Sequence, residues 1–203
     1  MTAGPTREYI DRVRFISNPS TGRMGFAVAE AAARRGHRVV LVTGPVTLPD
    51  PAGVRVVRVE SAADMARAVF REYPRADAVV MTAAVGDYRP ARRAPGKIPK
   101  SKAGLTLRLV RTIDILSALG ARKGRRVLVG FALEASGGRR RARAKLLRKN
   151  CDGLVWNRPE AFGAERSRFE LLRRGGIVFS GRMSKRVLAE RLVRFVETRH
   201  ASG

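Results

Sequence analysis

The sequence predicts an α/β fold: a Rossmann-like, doubly wound, mainly parallel sheet with a small β-hairpin extension. Three observations carry this reading. Short apolar, β-branched runs recur at Arg38–Thr43 (RVVLVT), Asp77–Ala84 (DAVVMTAA) and Arg126–Phe131 (RVLVGF), the mark of strands covered on both faces. Stretches of helical spacing lie between them, so strand and helix alternate. Near the end, Arg173-Arg174-Gly175-Gly176 separates the apolar runs Phe169–Leu172 and Ile177–Phe179, a hairpin signal. A chain of 203 residues is long enough for one such domain with a real core, and a single domain over 1–203 is expected.

Taken in order, Met1-Thr2-Ala3 precede a turn at Gly4-Pro5-Thr6. Either the first strand is very short, or the chain is a piece of a longer one and Met1 an added start. A polar, basic stretch follows, relieved by Tyr9-Ile10, Val13 and Phe15-Ile16. Ser17-Asn18-Pro19-Ser20-Thr21-Gly22 then leads into a helix expected over Arg23–Arg35. Met24, Ala27, Val28 and Ala31 fall on one face of that helix, and Gly36 stops it. After the strand at 38–43, Val54–Val59 reads as a second strand, and Ser61-Ala62-Ala63-Asp64 as a capping box. That box opens a helix with Met65, Ala68 and Val69 inward. The strand at 77–84 runs out into Val85-Gly86-Asp87-Tyr88, and 89–103 is a long loop rich in Lys, Arg and Pro. Leu105, Leu107 and Leu109 alternate as a strand, and Asp114–Arg122 is a short helix. Beyond the strand at 126–131 come a helix through Ala142–Lys149, a strand at Gly153–Trp156 and the hairpin. Ser184 caps a last helix with Val187, Leu188, Leu192, Phe195 and Val196 apolar.

Composition excludes several classes. No apolar run approaches the roughly 20 residues of a membrane span, and no basic-then-apolar leader opens the sequence. The single cysteine, Cys151, excludes an internal disulfide and fits a reducing, cytoplasmic setting. It reads as a small buried hydrophobe, with no histidine near it in sequence to activate a thiolate. Lys and Arg number 42 against 17 Asp and Glu, a formal charge of +25. The cations are scattered, and aromatic residues are only 6% of the chain, so no nucleic-acid stripe emerges. Anionic small substrates suit such a field equally.

Several segments carry residues fit for chemistry. Ser20, Thr21 and Gly22 before a helix leave backbone N–H groups aimed at one point, suited to a phosphate or other anion. Arg14 offers a fixed cationic fork, and Asn18 an amide able to donate to an oxygen that becomes negative. In Ala83-Ala84-Val85-Gly86-Asp87, small residues admit a ligand to the backbone, and Asp87 is placed to accept from a base or sugar or to hold Mg²⁺. Lys97 stands in the basic loop, and Lys145 and Lys149 share a helix face. Phe131 ends a buried strand. His37 and His200 receive no role. Neither GxxxxGK[ST] nor GxGxxG occurs, nor any metal-ligand cluster, so a triphosphate would be held by lysines, loop backbone and Mg²⁺.

Together TAGPTRE, the string IDRVRFISNPSTGRMG, AAVGDYRPA, GKIPK, TIDI, GFALE and AKLLRKN recur in the order of one family. From Thr2 to about Val196 the chain resembles phosphopantothenoylcysteine synthetase, the phosphopantothenate–cysteine ligase of coenzyme A biosynthesis. The resemblance implies that Asn18 holds an acyl-nucleotide intermediate and helps its attack by cysteine, with Arg14 in support. It makes Ala83, Ala84 and Asp87 nucleotide contacts and Lys97 the flap lysine that stabilises the triphosphate. Asp114 and Ile115 lie on the nucleotide side, Phe131 stacks near the cytosine, and Lys145 and Lys149 hold phosphates. Departures stand at Gly86 for alanine, Pro99 for a second lysine, Thr112-Ile113 for Asn-Pro, and Arg158 for an aspartate.

The expected reaction joins 4′-phosphopantothenate and L-cysteine through an acyl-cytidylate, with CTP giving CMP and pyrophosphate and Mg²⁺ assisting. The resemblance further implies a homodimer and, in bacteria, a fused or partner phosphopantothenoylcysteine decarboxylase. Three alternatives remain open. These are a nicotinamide oxidoreductase, disfavoured by GPTRE after the first strand; a basic nucleic-acid-binding module; and a family member that binds nucleotide without turnover.

Overall fold

The computed structural model describes residues 1–100, 104–133, 138–157 and 166–202. Its core is a sheet built around a first strand of only two residues, β1 (Thr2–Ala3). The next two strands form a ribbon, β2 (Arg7–Tyr9) and β3 (Phe15–Ser17), ahead of the first helix, α1 (Arg23–Arg34). Strands β4 (Val39–Thr43) and β5 (Val54–Arg58) lead to helix α2 (Ala62–Glu72) and strand β6 (Ala78–Val80). A second ribbon, β7 (Tyr88–Pro90) and β8 (Leu109–Arg111), precedes helix α3 (Ile115–Ala121) and strand β9 (Val127–Leu133). Helix α4 (Gly138–Arg148), strand β10 (Gly153–Asn157), hairpin strands β11 (Arg166–Arg173) and β12 (Gly176–Ser184), and helix α5 (Lys185–Ala201) complete the order.

β1 pairs parallel with β4 and β4 with β5; β6, β9 and β10 are likewise parallel. A parallel bridge from Thr2 to Met81 sets β1 beside β6. Across the sheet the order is therefore β5-β4-β1-β6-β9-β10-β11-β12, with β11 antiparallel to β10. The direction of winding reverses between β1 and β6, which is where such sheets bind ligands. The predicted hairpin is a continuation of this main sheet rather than a separate appendage.

Successive strand residues divide between two cores, as a period of two requires. Leu41, Val80, Val129, Val155 and Leu171 pack with α1 and α5; Val42, Val79, Leu128, Leu154 and Leu172 pack with α2, α3 and α4. The sheet is thus covered on both faces, as its apolar runs predict. Gly25 permits one close contact: a Cβ there would lie 2.5 Å from the Ala3 Cβ and 2.7 Å from the Thr2 carbonyl oxygen.

Several local expectations need correction. α1 is sandwiched between the sheet and α5, so Phe26, Ala29 and Ala32 are buried beside Val28 and Ala31, while Met24 and Ala27 are only partly covered. Leu105 and Leu107 are outside any strand, because the partner segment Tyr88–Pro90 offers pairing only to Leu109–Arg111. The strand expected through Ala84 ends at Val80, beyond which single bridges at Met81 and Ala84 replace the ladder. Val187 is 42% exposed, on the face of α5 turned from the sheet. The capping box of Ser61 and Asp64 and the Ser184 cap stand as read.

Candidate functional site

A cleft of about 950 Å³ opens beyond the carboxyl ends of β1, β6 and β9, at the reversal of winding. One wall is the approach to α1. Gly22 is its N-cap in the left-handed region (φ 74°) and supplies no side-chain cap, so the first-turn N–H groups are not capped by the residue before them. Ser20, Thr21 and Gly22 all line the cleft here, with Arg23 at the first helical position.

Asn18 reaches from this wall to the floor. Its Nδ2 donates to the Ala84 and Val85 carbonyls at 3.3 and 3.2 Å. The floor, 83–87, is held from both sides. The Gly86 N–H donates to Thr6 Oγ1 at 3.0 Å, Thr112 Oγ1 donates to the Gly86 carbonyl at 2.5 Å, and the Thr112 N–H donates to the Asp87 carbonyl at 3.0 Å. Ala83, Ala84 and Asp87 line the cavity on this floor. Of the departures noted above, Gly86 is spatially neutral, since a Cβ would come no nearer than 3.4 Å to the Glu8 side chain. Thr112 supplies a lock on the floor in place of the expected asparagine.

The far wall joins α3 and α4. Asp114 caps α3 by accepting from the Ser117 N–H at 3.0 Å, and its other oxygen accepts from Lys149 Nζ. Burial pushes this carboxyl up, but the Lys149 bond, the Ser117 N–H and the charges of Lys149 and Lys145 outweigh it, leaving the pKa lowered. Lys145 Nζ donates to the Phe131 carbonyl at 2.9 Å. Gly120 lets the two helix ends close: a Cβ there would lie 2.0 Å from the Lys149 carbonyl oxygen. Ile115, Phe131, Lys145 and Lys149 all face the cleft.

Arg14 and Lys97 are not among the lining residues. Arg14 pairs with Asp11 at 3.1 Å and donates to the Ile98 carbonyl, while Lys97 is exposed in the basic segment. Ser101, Lys102, Glu134 and Arg158 lie outside the described residues. Conversely, sequence reading missed Arg23, Arg111, Arg148 and Lys185, four cations of the cleft. Arg23 and Lys185 each open a helix directly after a recognised cap or turn, and that position was their available signal. Burial lowers the Lys185 pKa, and so does the nearby charge of Arg23. Among the described residues, only Asp87 and Asp114 stand in the cleft against these cations and Lys145 and Lys149, so the cleft favours an anion. Among the described residues no group of three or more His, Cys, Asp or Glu is placed to hold a metal.

A family model described as the DNA/pantothenate metabolism flavoprotein C-terminal domain matches residues 1–199. The chain belongs to this family. A relative in Bacillus subtilis, the coenzyme A biosynthesis bifunctional protein CoaBC, is 50% identical over 165 residues, covering 81% of this chain and 41% of the relative. The Escherichia coli K12 protein of the same name is 47% identical over 161 residues, covering 77% of this chain and 40% of its own length. The chain therefore spans about two fifths of the length of the curated relatives it matches. In structure it is similar to the crystallised C-terminal domain of CoaBC, with a TM-score of 0.86 at 37% identity over 100% of this chain and 94% of that one. Among the described residues no helix is long and apolar enough to cross a membrane.

Proposed function

We propose that this domain is a CTP-dependent phosphopantothenate–cysteine ligase acting in coenzyme A biosynthesis. The observation that carries the reading is the cationic cleft at the winding reversal, where a helix N-terminus without a side-chain cap, the Asn18 amide and the Lys145–Lys149 wall converge. A carboxylate cannot acylate an amine directly, because its leaving group would be oxide. In the first step a 4′-phosphopantothenate carboxylate oxygen attacks the α-phosphorus of CTP, and the bond to the bridging oxygen breaks to release pyrophosphate. In the second the amine nitrogen of L-cysteine attacks the acyl carbon and loses a proton. The acyl C–O bond breaks, giving phosphopantothenoylcysteine and CMP.

Lys145 and Lys149, with Lys97 from the basic segment, are assigned to the triphosphate. Because Asn18 Nδ2 already serves two carbonyls, its Oδ1 remains as an acceptor for the incoming amine. Ala83, Ala84 and Ile115 admit the nucleotide to the backbone, and Phe131 stacks near the base. The first turn of α1, behind Ser20 and Thr21, is assigned to a substrate anion. Asp87 is the cleft carboxylate that would hold Mg²⁺ brought with the nucleotide, and the ion would supply charge neutralisation at the transferring phosphorus. The reading extends to a cytoplasmic homodimer and to a fused or partner phosphopantothenoylcysteine decarboxylase.

Pyrophosphate release with 4′-phosphopantothenate, Mg²⁺ and either CTP or ATP, each with and without cysteine, tests the proposal. Release that requires phosphopantothenate, prefers CTP and turns over only with cysteine is expected. Folded protein that releases none with either nucleotide would overturn it.

A further inference from the structure

Lys97 is the one assigned phosphate-binding cation that lies outside the cleft, so what fixes its location matters. The segment 91–100 has no secondary structure, yet the turn after β2 grips it repeatedly. The Ala94 N–H donates to the Ile10 carbonyl at 2.9 Å, and the Arg93 guanidinium lies 4.6 Å over the Tyr9 ring. The tightest grip is on Ile98. Its N–H donates to Asp11 Oδ2 at 3.1 Å, and its carbonyl accepts from Arg14 Nη2. The Asp11 carboxylate is completely buried, although it sits in a surface turn. Its other oxygen accepts from the Val13 and Arg14 N–H groups at 2.7 Å each, and Arg14 Nε stands 3.1 Å from Oδ2. A carboxylate with four donors and no exposure is a fixed point, and both backbone groups of Ile98 are tied to it or to its partner.

We infer that Asp11 is a positioning residue for Lys97: with Arg14 it latches Ile98, and so sets where the neighbouring lysine meets the triphosphate. Arg14 then acts through this latch rather than on the reacting atoms. The inference rests on the ligase reading for its consequence, but the latch itself is measurable without any substrate.

Asp11→Asn is the selective test. Its amide oxygen keeps the two bonds from Val13 and Arg14, which turns NH₂ toward two donors, the Ile98 N–H and Arg14 Nε, and opens the latch. Hydrogen exchange at the Ile98 amide should quicken about tenfold or more, while the Leu41 and Val129 amides of the sheet exchange as before. In pyrophosphate release the KM for CTP should rise about tenfold, as it should for Lys97→Ala, and the double variant should be no worse than either. Unchanged exchange at Ile98, or effects of Asp11→Asn and Lys97→Ala that multiply, would overturn the inference. Should Asp11→Asn not fold, Arg14→Lys carries the same two readouts, since an ammonium lacks the fork that reaches both Asp11 and the Ile98 carbonyl. An inactive wild type would sink the ligase reading, and the role with it, while the exchange result would still report on the latch.

Discussion

The two cation-bearing sides of this molecule are built on opposite principles. On the α4 side, Lys145 rises from the helix and Lys149 from the turn just after it, and each is tied to a neighbour, the Phe131 carbonyl or the Asp114 carboxylate. The helix is itself pinned at its start, where Arg139 donates through Nε and Nη2 to the Glu170 carboxylate of β11 at 2.9 and 2.8 Å. Lys97 instead rides on irregular chain and owes its place to two side chains of a neighbouring turn. The charge proposed to bind phosphate is held on the first side by the scaffold, and on the second by a latch. Removing a residue should therefore cost stability on one side and only function on the other.

The sharpest way to break that contrast is Arg139→Ala. The Glu170 side chain is only 3% exposed, so losing its partner strands a buried carboxylate, and a stability loss of about 2 kcal/mol is expected in urea unfolding. Lys97→Ala should leave the urea midpoint within about 0.5 kcal/mol of wild type. If the two variants unfold alike, the contrast is wrong. Lys149→Ala is next: it should weaken nucleotide binding about tenfold in calorimetric titration and also cost about 1 kcal/mol, because Asp114 loses its cation.

Acid supplies a finer probe of the latch. The N–H donors of Arg14 and Val13 hold the Asp11 carboxyl down from 3.8 to about 2, against burial, with further help from the Ile98 N–H and the charge of Arg14. A depressed carboxyl pKa contributes stability that is complete above the unfolded value and lost as pH falls through the folded one. Protection at the Ile98 amide, taken relative to intrinsic exchange, should thus be flat down to about pH 4 and fall between about pH 4 and 2. A decline already under way at pH 6 would assign the latch to another group. The smallest expected effect is at Cys151. Burial, and then the charge of Asp152, push its thiol up to about 12, so iodoacetamide at pH 8 should leave it unmodified until the protein is denatured.

Legibility in the sequence followed the strength of the local signal. Strands such as Val39–Thr43 and Val127–Leu133 announce themselves because burial on both faces demands unbroken apolar runs, and Ser61 with Asp64 names its own helix start. The antiparallel ribbons do not. β2 and β3 are held by the Tyr9–Phe15 edge contact and the Arg7 guanidinium over Phe15, pairs made across a turn that no periodicity records. Of the site, the small residues 83–84, Lys145 and Lys149 were found because they fall in motifs. Asp11 was passed over because its four donors come from two separate stretches of chain. Arg14 was placed by its motif, and the geometry adds a partner from a distant stretch, the Ile98 carbonyl.

The two-residue strand at the centre has a mechanical consequence. The two halves of the sheet meet across two isolated parallel bridges, Thr2 to Met81 and Pro5 to Ala84, stitched by Thr82 Oγ1 donating to the Thr2 carbonyl at 2.7 Å and the Ala83 N–H donating to Thr2 Oγ1 at 3.2 Å. That is a narrow suture, and the cleft lies over its end. The cleft is lined by Gly22 and Met24 on one side and Phe131 and Lys145 on the other, so a molecule filling it would act as a splint across the join. Occupancy at a hundred times the dissociation constant would add about 2.7 kcal/mol to the cost of unfolding, spent where the sheet has the fewest bonds of its own.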